Sequence, residues 1–247
     1  MTNHVLLNSV EHKDLRVITE RGKQYGDDVW YALTFPTEFR TAQMCYPIFF
    51  QQSPDSGQFI AVTLFGFEQG ENLFLKDNVW DAPYIPMTIL RKPFLIGRQR
   101  VVQEGTQTMQ RVIHVDMDDP RVSQTEGELL FGEYGGNTPY LDRVATILET
   151  IHEGLDAMED FVQALIEYEL LEPFTLEVTL VDDTRNQLVG FHTINEDRLR
   201  ALDADAVADL HKRHLLEPIY MQLASQSHIN YLVTEKNKRL MAQAVSA

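Results

Sequence analysis

The sequence predicts an α+β fold: antiparallel strands in the N-terminal half, one long amphipathic helix, a further β-hairpin and C-terminal helices. Three observations carry that reading. β-Branched and aromatic runs bounded by Gly and Pro fill residues 1–120. From Leu141 to Leu165, apolar residues recur at spacings of three and four. The strand–helix–strand alternation of a parallel sheet is missing. A single domain over 1–247 is expected, with a subdivision left open between a β-rich part at 1–120 and a helix-hairpin-helix part at 138–247.

The elements follow in order. Asp14 to Thr19 and Val29 to Phe35 read as strands between Gly22, Gly26 and Pro36. Thr37 to Gln43, limited by Pro36 and Pro47, has room for a short helix only. Tyr46 to Gln52 and Phe59 to Phe67 flank Ser53-Pro54-Asp55-Ser56-Gly57, where Pro starts a turn and Gly accepts positive φ at its end. A second hairpin pairs Phe94 to Gln103 with Met109 to Asp116 around Glu104-Gly105-Thr106-Gln107. After Pro120, Gly127, Gly132, Gly135 and Gly136 alternate with Leu129, Leu130, Phe131 and Tyr134, which reads as a packed loop and the best place for a boundary.

Thr138-Pro139 supplies an N-cap and a first-turn proline for a helix with the stripe Leu141, Val144, Leu148, Ile151, Leu155, Met158, Val162 and Leu165. Gly154 leaves that stripe in phase, so it costs about 1 kcal/mol relative to Ala without ending the helix. Pro173 to Val181 and Gln187 to Ile194 form a third hairpin. Asn195 and Asp203 are N-caps for helices near Glu196 to Leu202 and Ala204 to Leu216, and Pro218 permits a fresh first turn. The tail from Lys236 is polar and reads as frayed.

Composition excludes several functions. With 21 Lys+Arg against 37 Asp+Glu, the net charge of −16 repels phosphate backbones, so no nucleic-acid partner is expected. Membrane insertion is not expected either, because no apolar run approaches the ~20 residues that span a bilayer. The lone Cys45 makes no internal disulfide, and no basic, apolar signal segment opens the chain, so a cytoplasmic location is expected. A cell-surface location reached without a signal peptide is the alternative. The sequence sets no oligomeric state, and nothing in it asks for a cofactor.

Each candidate site carries a structural alternative. His211 and His214, three apart on one helix with Glu217 beyond, have the spacing of metal ligands, but Lys212 and Arg213 equally mark a solvated basic helix end. Asp116, Asp118 and Asp119 are a cation-site pattern or a strand-ending turn before Pro120. Cys45 is a nucleophile or a small buried apolar residue. The long helix carries nine acidic residues from Asp142 to Glu172 and one cation, Arg143, which makes either a solvated face or a docking face for a basic partner. No complete catalytic set or metal set results.

The densest aromatic and glycine stretch runs from Phe65 to Leu75, followed by Trp80, Tyr84 and Phe94. Phe65, Gly66, Phe67, Glu71, Asn72, Trp80, Tyr84 and Phe94 are the candidate binding residues, for the rings can line a pocket for an extended peptide or fill a core. Leu33-Thr34-Phe35-Pro36, Tyr46-Pro47-Ile48, Leu64-Phe65-Gly66-Phe67, Gly70-Glu71-Asn72-Leu73-Phe74, Trp80 and Arg91-Lys92-Pro93-Phe94 resemble the SapC family, bacterial proteins of similar length named after a surface-layer (S-layer) gene locus. The likeness continues through Phe191-His192-Thr193-Ile194-Asn195-Glu196 and Leu210-His211-Lys212-Arg213.

The resemblance implies an association with S-layer biology, and relatives are often encoded near outer-membrane receptors and flavin-dependent halogenase-like enzymes. It lends no catalytic residue. Where relatives carry a small residue after the Leu-His-Lys-Arg segment, this chain has His214. The expected function is a non-enzymatic accessory protein that binds a protein or peptide partner through the aromatic region. The alternatives are a metal-dependent enzyme or small-molecule binder using His192, His211, His214 or the Asp116–Asp119 cluster, and a structural component of the cell surface.

Overall fold

The computed structural model describes residues 3–53, 57–103 and 106–246. It opens with short strands β1 (His4–Leu6) and β2 (Arg16–Val17), then β3 (Tyr31–Thr34), helix α1 (Phe39–Ala42), and strands β4 (Ile48–Gln52) and β5 (Phe59–Leu64). A tight ribbon, β6 (Leu75–Lys76) and β7 (Val79–Trp80), and the single turn α2 (Met87–Leu90) lead to β8 (Phe94–Gln103) and β9 (Thr106–Asp116). Strands β10 (Val122–Ser123) and β11 (Glu128–Leu129) precede the long helix α3 (Pro139–Glu167), and β12 (Leu171–Thr179) pairs with β13 (Arg185–Ile194) after it. Helices α4 (Glu196–Arg200), α5 (Ala204–Lys212), α6 (Leu216–Ser225) and α7 (Ile229–Ser246) complete the order. The α+β class is thus present, with antiparallel pairing in every ladder. The turn residues Pro54-Asp55-Ser56 and Glu104-Gly105 lie outside the described residues.

The chain divides into two compact units, each assembled from two stretches: Met1–Asp27 with Met87–His152, and Asp28–Pro86 with Glu153–Ala247. The glycine-rich segment after Pro120 falls inside the first unit, and the division interrupts α3 at His152. In that unit the sheet β1-β9-β8 and the small sheet β10-β2-β11 share a core with the first half of α3. Leu15, Val17, Phe94, Val115, Leu130, Phe131, Leu141, Val144 and Leu148 build it. The glycine loop packs through Leu130 and Phe131 and leaves Tyr134 exposed. Thr138 caps α3, its hydroxyl accepting from the Leu141 N–H at 3.3 Å.

The second unit is built on a five-stranded sheet of order β12-β13-β4-β5-β3. Strand β13 meets β4 only at Phe191 and His192, so the start of β4 needs other partners. Helix α6 supplies them: Gln222 donates to the Ile48 carbonyl at 2.8 Å, and the Ser225 hydroxyl accepts from the Ile48 N–H at 2.9 Å. Asn195 and Asp203 cap α4 and α5, accepting from the N–H groups of Arg198 and Ala206 at 2.8 Å each.

Three local expectations change. Helix α3 passes through Gly154, but Gly154 faces inward, where an added Cβ would stand 2.1 Å from the buried Phe35 ring, and Leu155 turns out to solvent. Helix α5 stops at Lys212 because His214 adopts left-handed backbone at φ 59°. The tail from Lys236 belongs to α7, and Lys236 itself is paired as described below. No helix among the described residues is long and apolar enough to cross a membrane.

Candidate functional site

The aromatic segment begins where β5 ends. The Trp30 carbonyl accepts from both Phe65 and Gly66 N–H groups, at 2.7 and 3.2 Å, and turns the chain away from the sheet. It folds back so closely that a Cβ on Gly66 would meet the Glu71 carbonyl oxygen at 2.8 Å, which explains the glycine. Glu71 fastens the loop, one carboxylate oxygen accepting from the Phe67 N–H at 2.9 Å and the other from Lys236 of α7 at 2.6 Å. Asn72 accepts from the Phe74 N–H at 3.0 Å and starts the ribbon β6–β7. That ribbon turns on Asp77 and Asn78, both left-handed at φ 47° and 63°, the pattern of a two-residue hairpin turn. Lys76 pairs with Asp81 at 2.8 Å and with Glu235 at 3.0 Å.

Beneath these two turns the rings pack edge to face. The Phe65 ring centre lies 5.1 Å from Tyr46, 5.2 Å from Trp80 and 6.3 Å from Phe74, and Phe74 stacks on Tyr231 at 5.0 Å. A chain of hydrogen bonds crosses the cluster. Trp80 Nε1 donates to the Tyr46 hydroxyl at 2.8 Å, and that hydroxyl donates to the Tyr84 carbonyl. The Tyr84 hydroxyl donates to Glu38 Oε1 at 2.5 Å, and Thr34 Oγ1 to Glu38 Oε2 at 2.7 Å. Burial pushes both phenols above the usual range, and for Tyr84 the neighbouring Glu38 charge adds to the effect.

Phe65, Phe67, Asn72 and Trp80 are therefore buried, with Gly66 at the close approach, Glu71 and Tyr84 half-buried at the margin, and the Glu68-Gln69-Gly70 and Asp77-Asn78-Val79 tips exposed. Phe94 is not one of this group; it is a core residue of the first unit. The sequence reading missed Glu38, Tyr46 and Lys236. Glu38 stands at the N-cap of α1 in a segment that also carries Thr37, Arg40 and Gln43, so nothing in the local sequence set it apart.

The other candidates have structural places. His211 lies in the last turn of α5, and His214 lies past its end in left-handed backbone, so the two do not share a helical face. The Asp116 and Asp119 carboxylates accept from the N–H groups of Asp118 and Arg121 at 3.2 and 2.9 Å, as turn formers do. Cys45 is buried, and burial raises its thiol pKa, against the thiolate that nucleophilic work needs. His192 lies edge-on to Phe59 at 4.8 Å, its pKa lowered by burial. Glu153, Asp156, Glu159, Asp160 and Glu167 of α3 are exposed. Among the described residues no three His, Cys, Asp or Glu side chains gather as a group that could hold a metal.

Residues 7–232 match the profile of the family described as SapC. No curated protein and no solved structure matches the chain.

Proposed function

The chain belongs to the SapC family, and from that premise we propose that it is a non-enzymatic accessory protein whose aromatic and glycine-rich segment presents a docking surface for a peptide or protein partner. The buried rings serve as a floor, and the tips Glu68-Gln69-Gly70 and Asp77-Asn78-Val79 make the contact. One observation carries this reading: three turn residues in left-handed backbone, Gly70 in one tip and Asp77 and Asn78 in the other, are held at exposed tips tied to adjacent residues of one helix, Glu235 and Lys236. Gly70 takes that backbone freely, but at Asp77 and Asn78 it carries strain, and strained backbone persists where surrounding structure over-determines it and concentrates at binding sites. Val79, 62% exposed, is the apolar anchor, and Glu68, Asp77 and Asp81 favour a basic partner segment. The polar groups beneath, from Trp80 to Thr34, are spent on one another, which suits a rigid support rather than a reaction.

The test is isothermal titration of the purified chain against the proteins encoded beside it, repeated with Val79→Asp and with Glu68→Lys. Saturable binding that weakens about tenfold or more in either variant, and weakens with added salt, is the expected result. No heat with any of these proteins, or unchanged affinity in both variants, overturns it. A cytoplasmic location belongs to the same proposal, and recovery of the protein in a surface fraction of the cell would replace it.

A further inference from the structure

The least expected side chain in the first unit is Arg121, a guanidinium 1% exposed in a chain of net charge −16. It pairs with the fully buried Asp27 at 2.6 Å, donates to the carbonyls of Ile18 and Glu20 at 3.1 and 2.6 Å, and lies 5.0 Å over the Tyr25 ring. Its Nε–H has no hydrogen-bond partner among the described residues. A buried donor left unpaired is costly, and Arg121 lines a cleft where an acceptor from outside could relieve it.

More cations line the same cleft. Arg21 reaches Asp27 only at 3.6 Å, and Lys92 donates to the Gly26 carbonyl at 3.1 Å. Burial is the main reason that both sit below their ordinary pKa values. The fourth is Arg143, the one Lys or Arg between Thr138 and Glu172. These four cations face three carboxylates: Asp27, Asp119 near Lys92, and Glu128 on the rim. The balance is positive in an acidic chain. Leu90, Val144 and Ile147 give the cleft an apolar wall, and burial pushes the Tyr140 phenol up to about 12, so it stays a neutral donor.

We propose that this cleft of about 370 Å³, lined by Arg21, Lys92, Arg121 and Arg143, binds a small organic anion with a carboxylate or phosphate head on an apolar body. The head takes the Arg121 Nε–H and the incompletely paired Arg21 and Lys92, and the body lies on Leu90, Val144 and Ile147. At ~30 Å³ for each water-sized group, the space holds roughly a dozen non-hydrogen atoms, which suits a metabolite rather than a polymer.

Isothermal titration with 3-phenylpropionate, phenyl phosphate, inorganic phosphate and the uncharged 3-phenylpropanol tests this. Saturable binding of either aromatic anion, about tenfold weaker in Lys92→Met and in Arg143→Glu, is expected, with little heat from the alcohol. Which anion binds tighter identifies the head. Arg143 is exposed, so Arg143→Glu decides the matter alone if Lys92→Met fails to fold by circular dichroism. The proposal is overturned if neither anion binds at millimolar concentration, if the alcohol or inorganic phosphate binds as tightly as both, or if the folded variants bind unchanged. The residues mutated here and those mutated for partner docking belong to different units, so either result stands without the other.

Discussion

Single residues show where short-range chemistry is readable and where it is not. Thr138, Asn195 and Asp203 can be recognised as caps because each satisfies an N–H three residues away. Asp27 and Arg121 are separated by 94 positions, and nothing near either residue marks the partner. Gly154 lies between these cases. Its neighbours make it a tolerated flaw in a helix, which predicts that Gly154→Ala would stabilise by about 1 kcal/mol. The Phe35 ring reverses that sign, because an added Cβ at 2.1 Å must displace a buried aromatic or bend the helix. Urea denaturation of Gly154→Ala is expected to show a loss of about 1–3 kcal/mol, and a gain would mean that the ring yields freely.

At the scale of elements, the strands and the long helix follow from apolar periodicity, whereas the ends of helices depend on backbone that periodicity does not encode. Helices α3 and α5 end in the same way. The Leu170 N–H bonds to the Leu165 carbonyl at 2.8 Å, and the Leu215 N–H to the Leu210 carbonyl at 2.9 Å, with Glu169 and His214 left-handed between them. All four leucines are buried, which suits the apolar flank that usually accompanies this motif. Neither turn uses glycine, although a Cβ in left-handed backbone costs about 1–2 kcal/mol. His214→Gly should therefore raise stability by up to about 1 kcal/mol after the added freedom of the unfolded chain is subtracted. His214→Val should lower it, and equal midpoints in a denaturant titration would refute both. Lys236 shows the opposite limit: its polar surroundings in sequence read as a frayed tail, but carboxylates from the distant loop hold it, with Glu68 and Glu71 at 2.7 and 2.6 Å.

For the whole molecule, the division of the chain was the least legible feature, because each unit joins stretches far apart in sequence. We propose that the units nevertheless unfold together as one domain, α3 being continuous through the point of division. Alkaline titration can test this. Tyr46, Tyr84 and Tyr140 all have phenols raised by burial, so the fold favours their neutral forms. That contribution is intact below the ordinary phenol value of about 10 and is lost as pH rises through it toward the folded values. Tyrosinate absorbance reports on both units, since Tyr140 lies in the first and Tyr46 and Tyr84 in the second, while Trp30 and Trp80 fluorescence reports on the second alone. The two signals and far-ultraviolet circular dichroism are expected to change in one transition above pH ~10. Separate transitions would divide the chain into independent domains.

The place of β13 beside β4 has a consequence for biosynthesis. During translation, residues 31–64 emerge early and can form β3, β4 and β5, but β13, which borders β4 at Phe50 and Gln51, is not complete until residue 194 has left the ribosome, and the α6 residues that serve Ile48 come later still. At ~5–20 residues per second, that border stays bare for roughly 7 to 26 seconds. A bare ladder of N–H and C=O groups beside Phe49 and Phe50 is a template for another nascent chain. Slow codons or crowded polysomes between these points would turn correct closure into intermolecular pairing.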